Sequence, residues 1–291
     1  MIALDSYLGR AGLEVILVGI LSGVVGVQVV LRRLSFFAMA MTHATFPGVV
    51  LAAILGFDIY LGGFGAGLVV SLAVLAAGRR RGQDTTTATG VVLATGFALG
   101  VALMSTQPGF TRNLSAFLVG SVLTVNRADL RTAAAVAVVV TLTIGLLHKE
   151  LTFAAFDPDG ARAAGYPAAA LDLLMLVLAQ AAIVITVPAV GTILAVALLV
   201  APAAAARLWT ERIGPLYALA AALAVTAGLV GLAVSERFTV AAGGAISLVA
   251  ATIFLLSWLA APRHGALDAF RRAARRRRID YHPALPSKGN L

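Results

Sequence analysis

The chain has 291 residues, of which 60% are hydrophobic and only 12% charged, and it contains no cysteine. Soluble domains carry about 25% charged residues, so this composition excludes a water-soluble fold. The missing cysteines exclude a disulfide framework and a thiolate metal site, and the formal net charge of +9 lies mostly outside the apolar stretches.

Nine apolar stretches, almost free of charged residues, run through most of the chain. A membrane-spanning helix needs about 20 predominantly apolar residues, so we predict an all-α polytopic membrane protein with eight or nine transmembrane helices. Residues 1–262 would form one membrane domain, and residues 263–291 a basic, disordered tail. The stretches are Val15–Leu31, Ala44–Leu55, Leu61–Ala77, Val91–Met104, Ala133–Leu147, Leu171–Val187, Gly191–Ala206, Leu216–Val234 and Val240–Ala261.

Basic residues follow every second stretch, and this pattern predicts the orientation of the chain. Short cytoplasmic loops are enriched in lysine and arginine, so nine spans would leave the N-terminus outside and the C-terminus in the cytoplasm of a plasma or inner membrane. Three arginines do not fit, and they flank Leu114–Val125, which is too short for an ordinary span. We predict a re-entrant or interfacial segment there. The fitting residues are Arg32, Arg33, Arg79, Arg80, Arg81, His148, Lys149, Arg207 and Arg212; the exceptions are Arg112, Arg127 and Arg131.

The arginines of the tail invite comparison with a nucleic-acid-binding patch. They lie immediately after the last span and have no aromatic residues between them. Basic clusters in this position meet anionic lipid. We therefore expect the lipid membrane, and no nucleic acid, as the partner of the tail.

Small residues at regular spacing predict where helices approach each other closely. Gly19 with Gly23, and Gly63 with Gly67, form pairs in which three residues separate the glycines. Such pairs allow helix backbones in a membrane to come into contact. They indicate a tightly packed bundle and say nothing about its function.

The longest polar connection in the middle of the chain, Phe153–Pro167, is predicted to contain a short helix. Asp157 and Pro158 would open this helix, because a carboxylate and a proline both suit the first turn. Gly165 would end it. Farther along, Leu171–Ala206 is long enough for two spans and is predicted to form a tight helical hairpin that turns at residues 188–191.

Three regions of the chain carry motifs that together indicate a family. The first is residues 34–44 with Phe46, Pro47, Gly48, Val49 and Gly56; the second is residues 117–121 through Asp129 and Leu130; the third is residues 156–165 with Ala189, Val190, Gly191 and residues 197–207. With these motifs the chain resembles the permease subunits of the ABC importers for zinc, manganese and iron, from about Val15 to Pro262.

This resemblance implies a permease that pairs with a second permease copy, identical or different, and stands on two ABC ATPase subunits. A metal-binding solute-binding protein outside the cell would deliver the substrate. The chain has no Gly-x-x-x-x-Gly-Lys-Ser/Thr phosphate loop, so it is not expected to be an enzyme, and ATP would be bound and hydrolysed by the partner. No tightly bound cofactor is expected; the metal ion is the transported substrate. The residues implied in coupling to the ATPase, on a short cytoplasmic coupling helix, are Asp157, Pro158, Asp159, Ala161, Arg162 and Gly165.

His43 is the candidate metal ligand of the substrate pathway. An ionisable side chain inside a membrane is a candidate functional residue, and imidazole suits zinc and other first-row metals. The resemblance places His43 on the histidine of a Gly-Asp-Ala-x-Ser-His motif, in which Met39 replaces the aspartate. A metal ion would therefore meet His43, the hydroxyls of Thr42 and Thr45, the thioether of Met39 and backbone carbonyls.

The identity of the substrate stays open at this point. Thr239 stands where relatives often carry a second acid, so both replacements remove a hard anionic oxygen. One hypothesis is a softer metal, because thioether and imidazole favour Cu(I) or Zn over Mn. The alternative is an ABC-type permease for a non-metal solute, in which His43 only packs. A stand-alone secondary carrier is a further alternative, although carriers usually keep carboxylates within the bundle and the predicted spans have none in their central turns.

Overall fold

The computed structural model describes residues 7–78, 85–108 and 126–261. Within these ranges the chain forms twelve α-helices and no strand, which confirms the predicted all-α fold. The predicted tail, residues 263–291, lies outside the described residues. The helices are α1 (Tyr7–Leu31), α2 (Ser35–Ala44), α3 (Phe46–Leu55), α4 (Ile59–Gly78), α5 (Thr85–Ser105), α6 (Arg127–Leu146), α7 (His148–Phe156), α8 (Pro158–Ala163), α9 (Ala168–Val190), α10 (Thr192–Trp209), α11 (Ile213–Phe238) and α12 (Ala242–Ala260).

Helices cover all nine apolar stretches that the sequence predicts to cross the membrane. In the described part of the chain, seven helical segments are long and apolar enough to do so. One of them, Ser35–Leu55, consists of α2 and α3 in succession. Two shorter apolar helical segments, Thr89–Ser105 in α5 and Leu194–Trp209 in α10, complete the nine. The prediction of eight or nine transmembrane helices is therefore confirmed.

Helix α1 occupies the centre of the bundle, where it packs against α6, α9, α10 and α11. Its glycines allow these neighbours to approach closely. A Cβ atom added to Gly19 or Gly23 would come within 3.0 Å of the backbone of α11. A Cβ atom on Gly26 would lie 2.0 Å from the carbonyl oxygen of Leu199 in α10. The first predicted glycine pair thus lies at a helix–helix contact.

The second glycine pair lies where α4 packs against α9. The side chain of Gln180 is fully buried, and its Nε2 donates a hydrogen bond of 3.3 Å to the carbonyl oxygen of Gly63. A Cβ atom on Gly67 would lie 1.9 Å from the same Nε2 atom. Glycine at this position therefore makes room for a buried amide between the two helices.

Contacts between helices also show in which direction each one runs. Helix α5 runs parallel to α2 and α3, because Gly96 lies against Ala44 and Gly100 against Phe46. The hydroxyl of Tyr60, at the start of α4, donates a 3.1 Å hydrogen bond to Asp129, at the start of α6. Because α3 leads directly into α4, helix α5 ends and α6 begins at the same end of the bundle. The segment between them, including the predicted re-entrant Leu114–Val125, lies outside the described residues.

Basic side chains gather at the other end of the bundle, which we call the basic end. Helix α1 ends there at Leu31, and α10 ends there at Trp209. Two short helices, α7 and α8, and the start of α9 lie at the same end. The basic residues described there are Arg32, Arg33, His148, Lys149, Arg162, Arg207 and Arg212.

Two elements differ from the sequence-based prediction. Helix α1 begins eight residues before Val15 and includes Glu14, which is only 3% exposed. The apolar pattern stops at this charge, but the helix continues because neighbouring helices cover the carboxylate. In the predicted hairpin, α9 continues to Val190, so only Gly191, at φ +87°, separates α9 from α10. The turn is shorter than predicted because glycine alone supplies the required left-handed conformation.

Candidate functional site

The span Ser35–Leu55 is interrupted halfway, immediately after the candidate metal ligand. Helix α2 ends at Ala44 and α3 begins at Phe46, with Thr45 between them. The sequence places Pro47 in the first turn of α3. Proline has no N–H, so it cannot donate a hydrogen bond to the carbonyl of His43, four residues earlier. Thr45 nevertheless keeps right-handed helical dihedral angles, and its N–H donates a 3.1 Å hydrogen bond to the carbonyl oxygen of Met41, so the backbone is not unwound there.

His43 and Met39 lie one helical turn apart on the same face of α2. The side chain of Met39 is 38% exposed on the surface of the single chain, and His43 is half-buried. The imidazole contacts the ring of Phe97 in α5 edge-on, with 5.2 Å between the ring centroids. Among the described residues, its Nδ1 atom is buried and has no hydrogen-bond partner. In the described part of the chain, an imidazole with an unpartnered nitrogen therefore lies one helical turn from an exposed methionine side chain.

The two predicted hydroxyl ligands face away from this surface. Thr42 and Thr45 are both buried in the bundle. The hydroxyl of Thr42 donates a 2.8 Å hydrogen bond to the carbonyl oxygen of Met39, within its own helix. The structure therefore brings Met39 and His43 together and places Thr42 and Thr45 on the packed side of the span.

His43 does not belong to a cluster of potential metal ligands in the described part of the chain. In residues 7–78, 85–108 and 126–261, no group of three or more histidine, aspartate or glutamate side chains could hold a metal ion. A metal ion at His43 would therefore take its other ligands from this chain's Met39, from backbone carbonyls, from water or from another subunit. Of these ligands, the imidazole and the thioether favour a borderline or soft ion, whereas carbonyl oxygens and water also suit a hard one.

The predicted loop helix is present as α8 at the basic end, and its capping follows from the sequence. Asp157 accepts a 2.8 Å hydrogen bond from the backbone N–H of Gly160, and Pro158 opens the helix. On the exposed side, Arg162 donates a 2.6 Å hydrogen bond to Asp159. Ala161 is fully buried against the bundle.

A left-handed glycine ends this loop helix. Gly165 has φ +85°, and the N–H of Tyr166 donates a 3.0 Å hydrogen bond to the carbonyl oxygen of Ala161. This is the usual way in which glycine terminates a helix. The six residues predicted for coupling thus form one rigid, capped unit on the surface of the basic end.

Two buried charged residues escaped the sequence-based prediction. Glu14 lies inside α1, and its Oε2 atom has no hydrogen-bond partner among the described residues. Arg32 was interpreted only as an orientation signal, but the structure buries it and pairs it with Asp172 of α9. The signal for Glu14 was available, since an acid next to a long apolar stretch can belong to the span. No local pattern could have indicated the Arg32–Asp172 pair, because 140 positions separate the two residues.

Comparison with known families assigns these features to a class of protein. The profile of the ABC 3 transport family matches residues 5–261, which is most of the chain. The chain belongs to the ABC 3 transport family. This membership confirms the resemblance inferred from the motifs. It also identifies the chain as the membrane permease of an ABC transporter, a subunit that is not itself catalytic, rather than a stand-alone carrier.

Relatives of the permease agree in sequence and in fold. It is 34% identical over 270 residues to the manganese transport system membrane protein MntC of Halalkalibacterium halodurans, covering 93% of this chain and 92% of that protein. It is 35% identical over 273 residues to the zinc transport system membrane protein TroC of Treponema pallidum, covering 90% and 92%. The solved structure of PsaBC from Streptococcus pneumoniae in complex with Fab matches with a TM-score of 0.84 and 33% identity, covering 91% of this chain and 95% of that one.

Proposed function

We propose that this permease carries a divalent first-row transition metal ion, of the zinc, manganese or iron type, into the cell. Support comes from relatives that are named for manganese and zinc transport and cover about nine-tenths of the chain. The single observation in the structure that carries the proposal is the Met39–His43 face of α2. There the half-buried His43, whose Nδ1 has no hydrogen-bond partner among the described residues, lies one helical turn from the exposed Met39.

The metal pathway would run along this face, and a second permease copy would complete it. A single chain offers one imidazole and one thioether, which are too few ligands to hold a metal ion. Two identical copies would offer two of each around a common axis. Imidazole nitrogens with thioether sulfurs favour Zn or Cu(I) over Mn. Thr42 and Thr45 would contribute to the pathway through the shape of the interrupted span, since their hydroxyls face the bundle.

ATP hydrolysis would be supplied by a separate ATPase that docks on α8. Most of this helix projects from the basic end, where Asp159 and Arg162 have exposed side chains. The positive-inside rule assigns the basic end to the cytoplasm of the plasma or inner membrane. The opposite end would then receive the metal from an extracytoplasmic binding protein. Nucleotide-driven movement of α8 would rock the bundle between outward-facing and inward-facing states.

The test is uptake of radiolabelled Zn, Mn, Fe and Cu into vesicles that hold the complete complex of permease, ATPase and binding protein. We expect ATP-dependent uptake of at least one metal, and strong loss of that uptake in His43→Ala. His148→Ala is the matched control, because this exposed histidine lies at the basic end, outside the proposed pathway. Vesicles with the permease alone should not accumulate any metal.

Three outcomes would contradict parts of the proposal. If none of the four metals enters the vesicles, a metal substrate is excluded. Transport of a non-metal solute, which the missing acid at position 39 also suggests, then becomes the better proposal for the function. If His43→Ala transports as well as His148→Ala, the pathway does not pass His43. Accumulation by the permease alone would overturn the requirement for a separate ATPase.

A further inference from the structure

A buried arginine connects the centre of the bundle to the loop helices at the basic end. Arg32 directly follows α1, and its side chain is only 7% exposed. One guanidinium nitrogen, Nη1, forms an ion pair with Asp172 at the start of α9. The other, Nη2, donates a 2.9 Å hydrogen bond to the carbonyl oxygen of Leu151 in α7. A planar guanidinium can make these bonds in fixed directions at the same time, which a lysine cannot do.

The same arginine also belongs to a polar chain that reaches a fourth helix. Its Nε donates a 3.3 Å hydrogen bond to Gln28, one turn earlier in α1. The amide of Gln28, fully buried, donates a 2.5 Å hydrogen bond to the hydroxyl of Tyr217 in α11. We call Arg32, Asp172, Gln28 and Tyr217 the inner polar network. With the Leu151 carbonyl, it connects α1, α7, α9 and α11 at one level of the bundle.

A connected polar network of this kind holds its helices in one arrangement. A buried charge that loses its partner is strongly destabilised, so the four helices cannot slide apart at this level without breaking charge-assisted bonds. Helix α7 leads through the single residue Asp157 into α8. A force on α8 therefore reaches the Leu151 carbonyl, and through it Arg32, across a short and rigid path.

Helix α8 also has apolar and covalent links to the bundle, since Ala161 is fully buried and residues 164–167 lead directly into α9. A cavity of about 430 Å³ lies beside the network at the basic end. Its wall includes Pro158 and Arg162 of α8 on one side and Leu34 and Phe37, at the start of α2, on another. To these apolar links Arg32 adds a directional polar connection from the loop helices to α1.

We propose that Arg32 is the positioning residue that transmits movement of α7 and α8 to α1, so that the loop helices and the central helix move as one body. This inference rests on the proposed function, in which α8 receives the movement of an ATPase. Arg32 touches neither the metal nor the nucleotide. Its role is to keep α7 and α1 in a fixed relative position while α8 moves.

The first test compares Arg32→Gln with Arg33→Gln in the complete complex. Both variants remove one positive charge from the same loop, but Arg33 is exposed and lies outside the network. Asp172 is 42% exposed, so water can solvate its carboxylate and Arg32→Gln should still fold and assemble. We expect Arg32→Gln to hydrolyse ATP and to transport at least about tenfold less metal per ATP, a ratio that corresponds to about 1.4 kcal/mol. Arg33→Gln should behave like the wild type.

Two further variants, Asp172→Asn and Arg32→Lys, should give intermediate ratios of transport to ATP hydrolysis. Asp172→Asn leaves the bonds from Arg32 to Leu151 and Gln28 in place, so its transport per ATP should lie between those of the wild type and Arg32→Gln. Arg32→Lys keeps the charge and should rescue part of the coupling. If Arg32→Gln does not assemble, Asp172→Asn decides the question. A wild-type ratio of transport to hydrolysis in the deciding variant would overturn the inference.

A second readout does not depend on the transported substance. The chain has no cysteine, so spin labels can be placed at Ile20→Cys in α1 and Ala164→Cys directly after α8, both at exposed positions. We expect the distance between the labels to stay constant when ATP binds to the complex with native Arg32, and to change in Arg32→Gln. Equal behaviour of both proteins would refute the coupling role. Absence of metal uptake by the wild type, with this distance pattern intact, would instead count against the metal substrate.

Discussion

Met39 is the residue that separates this permease from the motif of its family. A carboxylate at this position would place a hard oxygen one turn from His43, whereas the thioether of Met39 is a soft and neutral ligand. The side chain is 38% exposed on the single chain. An acid could therefore be introduced there without burying an unpaired charge in the packed bundle.

This placement leads to a prediction about metal selectivity. Met39→Asp should raise the ratio of Mn²⁺ to Zn²⁺ uptake by at least about tenfold, which corresponds to about 1.4 kcal/mol, because an added carboxylate favours the harder ion. Competition between the two labelled metals in vesicles with the complete complex measures this ratio. Met39→Leu is the control that removes the sulfur without adding oxygen, and it should not favour Mn²⁺. An unchanged ratio in Met39→Asp would show that position 39 does not contact the metal.

Among the helices, α1 determines how the bundle packs. Membrane helices associate through close packing, since lipid offers no hydrophobic driving force for their contact. A close contact of α1 is at Gly26, where an added Cβ atom would lie 2.0 Å from the Leu199 carbonyl oxygen of α10. Gly12 in the same helix has no atom within 4 Å of such a Cβ among the described residues.

The two glycines form a matched pair for a stability measurement. Gly26→Ala should lower the free energy of unfolding by about 1–3 kcal/mol, because the added methyl forces α1 and α10 apart. Gly12→Ala should leave it unchanged or raise it by up to about 1 kcal/mol, since alanine favours the helix over glycine. Thermal unfolding of the purified permease in detergent compares them. Equal melting temperatures for Gly26→Ala and the wild type would show that α1 and α10 can separate without loss.

Helix α8 belongs to a different class of element, because its structure is determined locally. Asp157 caps its beginning and Gly165 its end, and both signals are visible in the sequence. A Cβ atom added at position 165 would meet no atom of the described residues within 4 Å. A side chain that starts there has space on this chain, so we expect a bulky one to clash with a docked partner, in addition to the backbone strain of a left-handed residue.

Substitutions at position 165 distinguish the effect of backbone strain in the permease from a steric effect on docking of the ATPase. Gly165→Glu should abolish co-purification of the ATPase and metal transport, while the permease still inserts in the membrane. Gly165→Asn is the control, because asparagine tolerates the left-handed conformation that φ +85° requires. It should retain most of the ATPase. If Gly165→Glu binds the ATPase as well as the wild type does, α8 is not the docking element.

Considered as a whole, the permease has two unlike ends joined by its central helix. Glu14 lies in the half of α1 away from the basic end, and Arg32 lies at its inner terminus. Between them, the residues of α1 are packed on several sides by other spans. A movement that enters through Arg32 can therefore reach the opposite end of the molecule along one continuous helix. The Met39–His43 face of α2, which we propose as the pathway, would follow this movement.

The sequence by itself determined the class of the protein, the positions of its nine apolar helices and the caps of α8. These features depend on the lengths of apolar runs and on residues within one helical turn, both of which are local. The family motifs also directed attention to His43. The spacing of the motif residues could not show that the Thr42 hydroxyl faces the bundle or that the Met39 side chain is exposed. The packing around α2 determines which face of this helix is covered.

Only the folded arrangement revealed the inner polar network and the burial of Glu14. Arg32 looks like any juxtamembrane arginine until α9 brings Asp172 beside it from 140 positions away. Glu14 looks like the edge of a span until α1 is seen to continue past it into the bundle. In both cases the pairing or covering group comes from a distant part of the chain. Apolar runs indicate which segments cross the membrane, but they do not indicate which helices become neighbours.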